Sequence, residues 1–365
     1  EKSLILRRFK QAEELRIGVR YLIKEADLEG TLSDLSNLAD VYLQAVFNLA
    51  CEEVSQKSGH PVATNFCIVG MGKLGGGELN FGSDLDVIFV YDEPEENNGT
   101  HYAAISQLIY KLTSEMTSAG YAYKIDTDLR PEGGAGVLVM SIAGYEHYFK
   151  TRARIWEQQA MVRARVVAGS KEVGRKFMER VHDFVFQDNF EYSALIEISR
   201  MRERMEVELG QEKIKGKNVK LGFGGIADIE FAMQILQLMH GKKNPRLRNT
   251  NTMNALDMFV AQGMIDQSKA DQAKENYLFL RRLECALRII HETSSNNLPK
   301  EVRDLAQLAR LMSYAGNDTD SLTNALLKDY EKHTVQMREY YRETIGQLLR
   351  TGPRSSSSEK NQALS

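Results

Sequence analysis

CIVGMGKLGGGELNFGSDLDVIFVYD, residues 67–92, sets a glycine-rich turn between two apolar runs. Gly70-Met71-Gly72-Lys73-Leu74-Gly75 spells a dinucleotide-binding fingerprint. That loop, however, must open a helix long enough to cross the sheet, and a parallel crossover takes about a dozen residues or more. Only Gly76 to Ser83 separate it from Asp84-Leu85-Asp86 and the apolar run that follows. The turn is therefore expected to join neighbouring strands, and the fingerprint is accidental. A P-loop is excluded because Leu74, not Ser or Thr, follows Lys73. A protein-kinase reading fails because no His-Arg-Asp or Asp-Phe-Gly segment follows.

What remains is a glycine turn followed by two aspartates. On a strand, Asp84 and Asp86 point to one face about 7 Å apart. Two carboxylates there suit Mg²⁺ held against the phosphates of a nucleotide. Gly75 and Gly76 would let backbone N–H groups approach those phosphates, Ser83 would add a hydroxyl, and Lys73 would neutralise phosphate charge. A third carboxylate is sought on the next expected strand, where Asp126 and Asp128 share a face by the two-residue period. Asp126 is the first choice, while Asp128 is equally read as a partner of Arg130. Arg130 itself is read either as a phosphate ligand or as a partner of the acidic cluster.

Outside this stretch the composition is that of an ordinary globular protein, with 365 residues, 42% apolar and 27% charged. The length predicts two domains. A net charge of −3 and a pI of about 6.3 give no basic field for nucleic acid, so a protein or small-molecule partner is expected. Cys51, Cys67 and Cys285 lie far apart in apolar surroundings, as buried thiols of a reducing, cytoplasmic compartment do. No run reaches transmembrane length and no signal peptide is seen, so no membrane is involved. The start at Glu1 is read as a domain cut from a longer protein.

Residues 1–59 read as two helices, the first with Ile5, Phe9, Leu15, Val19 and Leu22 as its core stripe. Strands are expected at 65–69, 85–91, 121–128 and 137–140, with a helix at 101–119. Beyond 142 the pattern is helical, most clearly at 171–186, 192–209, 225–240, 269–293 and 319–349. The fold class is α+β: an N-terminal helical segment (1–59), a domain with a small mixed sheet (60–168), a helical bundle (169–350) and a disordered tail (351–365). Arg163 and Arg165, two apart near Trp156, are candidates to reach phosphates. Glu230 is a candidate buried contact between bundle and site, Asp228 a first-turn dipole partner, Glu78 a residue that fixes the loop, and Arg281-Arg282 a solvated face.

Gly72-Lys73-Leu74-Gly75-Gly76 with Ser83-Asp84-Leu85-Asp86, then Asp126-x-x-Leu129-Arg130-Pro131, then Gly224-Gly225-Ile226-Ala227-Asp228-Ile229-Glu230-Phe231, resembles the glutamine synthetase adenylyltransferase family. The match runs in order from about residue 5 to 290. The resemblance implies a polymerase-β-type nucleotidyltransferase domain fused to a helical bundle. It further implies Mg²⁺-dependent transfer of AMP from ATP to a tyrosine of glutamine synthetase, under control of the PII signal protein. The family enzyme has two homologous halves, one adding AMP and one removing it by phosphorolysis, and this chain carries one copy. Ala227-Asp228, where the removing half tends to carry Arg-Glu, looks more like the adding half. The phosphorolytic half and a catalytically silent binding module stay as alternatives, the latter opposed by three clustered carboxylates. Asp128 departs from an Arg frequent in the family.

Overall fold

A computed structural model describes residues 2–59, 65–92, 99–188, 190–210, 217–291 and 296–351. Two long helices lead, α1 (Lys2–Leu22) and α2 (Leu28–Ser58), the second started by the Asp27 carboxylate accepting from the Gly30 N–H. Strand β1 (Phe66–Gly70) then runs into the turn, where Gly72–Gly75 makes one helical turn, α3, before β2 (Leu85–Tyr91). As the spacing requires, β1 and β2 pair antiparallel. After α4 (Gly99–Ser114), strands β3 (Ile125–Asp126) and β4 (Val139–Ser141) both pair with β2 in parallel, and β5 (Arg165–Gly169) closes the far edge against β1.

The sheet is buried on both faces, and the two-residue period sorts its side chains. Phe66, Ile68, Val87 and Phe89 pack towards α2 and α4. Cys67, Val69, Ile88 and Val90 face the other way, in one continuous core with α7 (Lys171–Val185), α8 (Tyr192–Arg204), α9 (Ile226–His240), α10 (Thr252–Ala261), α11 (Gln267–His291), α12 (Val302–Leu311) and α13 (Thr319–Thr351). Two short helices, α5 (Ile142–Thr151) and α6 (Ile155–Met161), link β4 to β5. This is an α+β protein with a small mixed sheet and a large helical part.

Several expectations need correction. Helix α1 exists, but its apolar stripe points outward, with Ile5 60% and Leu15 69% exposed, while Arg7, Lys10 and Ile17 are buried. The third strand is two residues long, because Tyr121 to Lys124 make no ladder with β2. Strand β5 lay unread within a region taken as helical. Thr351 is still the end of α13, and residues 352–365, the rest of the expected tail, lie outside those described. All three cysteines are free and buried. Among the described residues no helix is long and apolar enough to cross a membrane.

Candidate active site

Asp86 shares the alternation of Ile88 and Val90, the β2 residues that face the bundle, and Asp84 lies two residues earlier. The parallel register sets Asp126 directly beside Asp86, about 4.8 Å away strand to strand. Asp84, Asp86 and Asp126 line one cavity of 220 Å³, together with Lys73, Asn80, Ser83, Lys220, Arg281, Glu284, Arg288 and Asn296. Burial raises the Asp86 carboxyl, Lys220 opposes that, and Asp126 and Asp84 raise it again, leaving it at about 6. Gly72, at φ +51°, fits under Asp86; a Cβ there would run into the Asp86 carboxylate. Met71 N–H donates to the Asp86 carbonyl at 2.8 Å and pins the turn to the strand.

Asp128 does not join this set. The strand ends at Asp126, whose Oδ1 accepts from the Asp128 N–H at 2.8 Å, and the chain turns. The Asp128 side chain is 76% exposed and lies 3.7 Å from Arg130. Arg130 serves its own turn, donating to Thr127 O and Oγ1 at 2.8 and 2.6 Å and to Gly136 O at 3.3 Å.

Gly75 and Gly76 do not present their backbone donors to the cavity. Their N–H groups are taken by Met71 O and Gly72 O, at 2.8 and 3.1 Å. Their bare Cα faces accommodate Arg163: a Cβ on Gly75 would meet the Arg163 carbonyl, and one on Gly76 its guanidinium. The glycines make room for a side chain of this chain. Arg163 in turn is bound to Glu78 and, at 3.0 Å, to Glu230. Arg165 clasps Asp40 at 2.6 Å and the carbonyls of Leu74 and Gly75 at 2.9 and 3.1 Å. Both arginines are thus engaged by groups of this chain.

Lys73 is shared between the two sets. It lines the cavity, yet its Nζ is paired with Glu230 and lies 5.5 Å from the centre of the Tyr277 ring. Burial, aided by Arg281, lowers its ammonium to about 8 despite Glu230. Burial would raise Glu230, but Lys73 and Arg163 outweigh it and hold it at about 2. The bundle thus reaches the turn through Glu230. Glu78 fixes the loop as expected, accepting from Thr252 N–H at 2.8 Å and Oγ1 at 3.2 Å. Asp228 is more than a dipole partner: it is fully buried between Arg202 at 2.6 Å and Arg338 at 3.0 Å.

Three charged members of the cavity, Lys220, Glu284 and Arg288, went unread in the sequence, and a fourth was misassigned. Arg281 was assigned to a solvated face but is fully buried, donating to the Glu78 carbonyl at 2.6 Å. Arg281, Glu284 and Arg288 recur at the helical step on α11 between Leu280, Leu283 and Leu287, which are buried. Charges at that spacing inside an apolar stripe were the available signal. Lys220 lies on the segment that leads into α9, and Arg202 holds that segment by donating to the carbonyls of Leu221 and Gly222 at 3.2 and 2.9 Å.

Asp86 and Asp126 on adjacent strands and Asp84 just ahead of β2 bring hard carboxylate oxygens, the donors that hard divalent cations take, to one cavity facing cations. Among the described residues, no three His, Cys, Asp or Glu side chains converge to enclose an ion by themselves.

An α+β fold with aspartates at the start of a buried strand, beside a third on its parallel neighbour, is the arrangement of a nucleotidyltransferase. The comparisons with known proteins agree. Residues 2–180 match a profile described as glutamate-ammonia ligase adenylyltransferase, and residues 197–345 one described as GlnD PII-uridylyltransferase. The chain belongs to the glutamate-ammonia ligase adenylyltransferase family. It is 31% identical over 355 residues to a relative from Shewanella loihica, covering 94% of this chain and 36% of the relative. It is 33% identical over 321 residues to one from Stenotrophomonas maltophilia (85% and 34%) and 33% over 324 to one from Pseudomonas syringae pv. tomato (85% and 33%). Each relative is named a bifunctional glutamine synthetase adenylyltransferase/adenylyl-removing enzyme, and the chain spans about a third of their length.

Proposed function

We propose that this chain is an adenylyltransferase unit that moves AMP from ATP to a tyrosine of glutamine synthetase and releases pyrophosphate. The observation that carries this reading is one cavity in which two strand-borne carboxylates, Asp86 and Asp126, and Asp84 just before β2 face Lys73, Lys220, Arg281 and Arg288. Carboxylates and cations opposed in this way accommodate a metal-bound polyphosphate. Asp84, Asp86 and Asp126 would hold Mg²⁺, which when bound neutralises phosphate charge and makes the α-phosphorus a better electrophile. Asp126 accepts the proton of the attacking tyrosyl hydroxyl, the tyrosyl oxygen bonds to the α-phosphorus, and the bond to the pyrophosphate oxygen breaks. Ser83 and Asn80 support the rim, Asn80 donating to Glu284 at 3.1 Å.

The bifunctional names of the relatives fit phosphorolytic removal of AMP as well. One experiment separates the two. With glutamine synthetase, Mg²⁺ and α-labelled ATP, label is expected in the target with pyrophosphate released. Faster formation of ADP from phosphate and pre-adenylylated target would assign the removing reaction instead. PII is proposed as a controlling partner of the bundle, supported by the profile matched at 197–345; a change of rate on adding PII is the check.

A further inference from the structure

Lys220 reaches the cavity from a segment outside helix and ladder, residues 217–225, and its charge is the chief one opposing the rise of the Asp86 carboxyl. Such a segment keeps one shape only if its backbone groups are satisfied. Asn218 Oδ1 accepts from the Lys220 and Leu221 N–H groups at 3.1 and 2.7 Å. The Val219 N–H donates to Asn296 O at 2.8 Å, and the Lys220 carbonyl accepts from the Ala227 N–H at 3.0 Å. Gly224, at φ +61°, passes so close to α13 that a Cβ would strike the Thr334 carbonyl.

The carbonyls of Leu221 and Gly222 are taken by Arg202, which belongs to α8 and not to the segment. Its side chain is fully buried, so its charge needs a counter-ion in place. Asp228, equally buried in the first turn of α9, lies 2.6 Å from Arg202 Nη2, the nitrogen that also donates to Gly222 O. Arg338 of α13 shares Asp228 at 3.0 Å, and its guanidinium lies 4.8 Å from the centre of the Phe223 ring. A second carboxylate competes for these cations: Glu206 is paired with Arg338 and stands 3.6 Å from Arg202 Nη1.

Resting on the nucleotidyl-transfer reading, we propose that Asp228 is a positioning residue: by fixing the fork of Arg202 on the Leu221 and Gly222 carbonyls, it holds Lys220 opposite the carboxylates of the cavity. Asp228 touches no reacting group. With Asp228 neutral, Glu206 is the anion left beside the guanidinium, and the fork is drawn off Nη2 towards Nη1. A planar guanidinium can serve two successive carbonyls and a carboxylate at once, which an ammonium cannot do in one fixed geometry.

The test is a double-mutant cycle on the full chain, with kcat/KM measured in whichever direction the labelled-ATP experiment assigns. Lys220→Gln is expected to lower it by at least about tenfold, as loss of one charge-assisted contact does. Asp228→Asn, which keeps the shape and leaves Glu206 beside both arginines, should cost about tenfold in the wild type and no more than about twofold in the Lys220→Gln background. Arg202→Lys, which keeps the charge and loses the fork, should repeat that pattern, and it decides the matter if Asp228→Asn does not fold. Hydrogen exchange gives a readout apart from activity. In either folded variant the amides of residues 219–226 should exchange at least about tenfold faster, while those of α8 and α13 keep their wild-type rates. Costs that multiply across the cycle, or helices loosened as much as the segment, make Asp228 a residue of the fold alone and overturn the proposal, as does full turnover in Lys220→Gln. The carboxylate reading is judged apart from this, by Asp86→Asn: survival of its turnover would sink that reading whatever the cycle shows.

Discussion

Asp126 and Asp128 differ by one residue in between and by everything in environment. Asp126 sits beside Asp86 in the ladder, whereas Asp128 is in the turn and faces solvent and Arg130. Asp126→Asn is therefore expected to lower turnover by about 10²–10⁴-fold, the range for a lost general base. Asp86→Asn should fall by at least about 100-fold, because a direct ligand matters no less than an outer one. Asp128→Asn should stay within about threefold, since an exposed pair contributes little. Steady-state rates for the three variants decide; the reverse order of Asp126 and Asp128 would transfer the role. The aspartates were legible because period-2 alternation and a glycine turn are local signals. Where Asp128 points was not legible, because that depends on where pairing with β2 stops. Gly76 teaches the same lesson. Read as a phosphate-approach glycine, it lies under Arg163, so Gly76→Val should disturb the buried Arg163–Glu78 pair and cost about 3–5 kcal/mol. Urea unfolding, not the Michaelis constant for ATP, is the measurement that registers it.

Elements were readable in existence and less so in orientation. Spacing located α1, but hydrophobicity misjudged which face it buries: Arg7 is inside, donating to Thr117 Oγ1, Gly120 O and Leu112 O at 2.6, 2.8 and 3.0 Å, where α4 ends. An arginine that satisfies carbonyls beyond a helix C-terminus packs better than a leucine would, and periodicity carries no trace of those acceptors. Arg7→Leu is accordingly expected to destabilise by about 2–3 kcal/mol, and Phe9→Ser, on the exposed stripe, by no more than about 0.5 kcal/mol. Denaturation midpoints of the two variants make the comparison, and the opposite ranking would turn the helix over. Strand β5 escaped notice for another reason. Val166-Val167-Ala168 is too short an apolar run to tell strand from helix, and only its partner β1 decides.

At the scale of the molecule, Glu230 and Glu284 are both carboxylates held at about 2, where burial works against ionisation and neighbouring cations overcome it. Their ordinary value is 4.5, so each is more acidic folded than unfolded. The stability they lend is complete above pH 4.5 and disappears as the pH falls towards 2. The urea midpoint should drop steeply across that window, and Glu230→Gln should flatten the drop while lowering the midpoint at neutral pH. An equally steep acid limb in the variant would show that the pair with Lys73 is not the source.

The same chain of charges, from Lys73 through Glu230 and Arg163 to Glu78, spans the seam between sheet and bundle. Spreading that seam would strand ions in a medium that cannot solvate them, so the molecule has no inexpensive way to open like a pair of jaws. The mouth of the cavity keeps its width. A protein that offers a hydroxyl to Asp126, which is exposed where it lines the cavity, therefore meets a fixed surface and must itself make whatever adjustment docking requires.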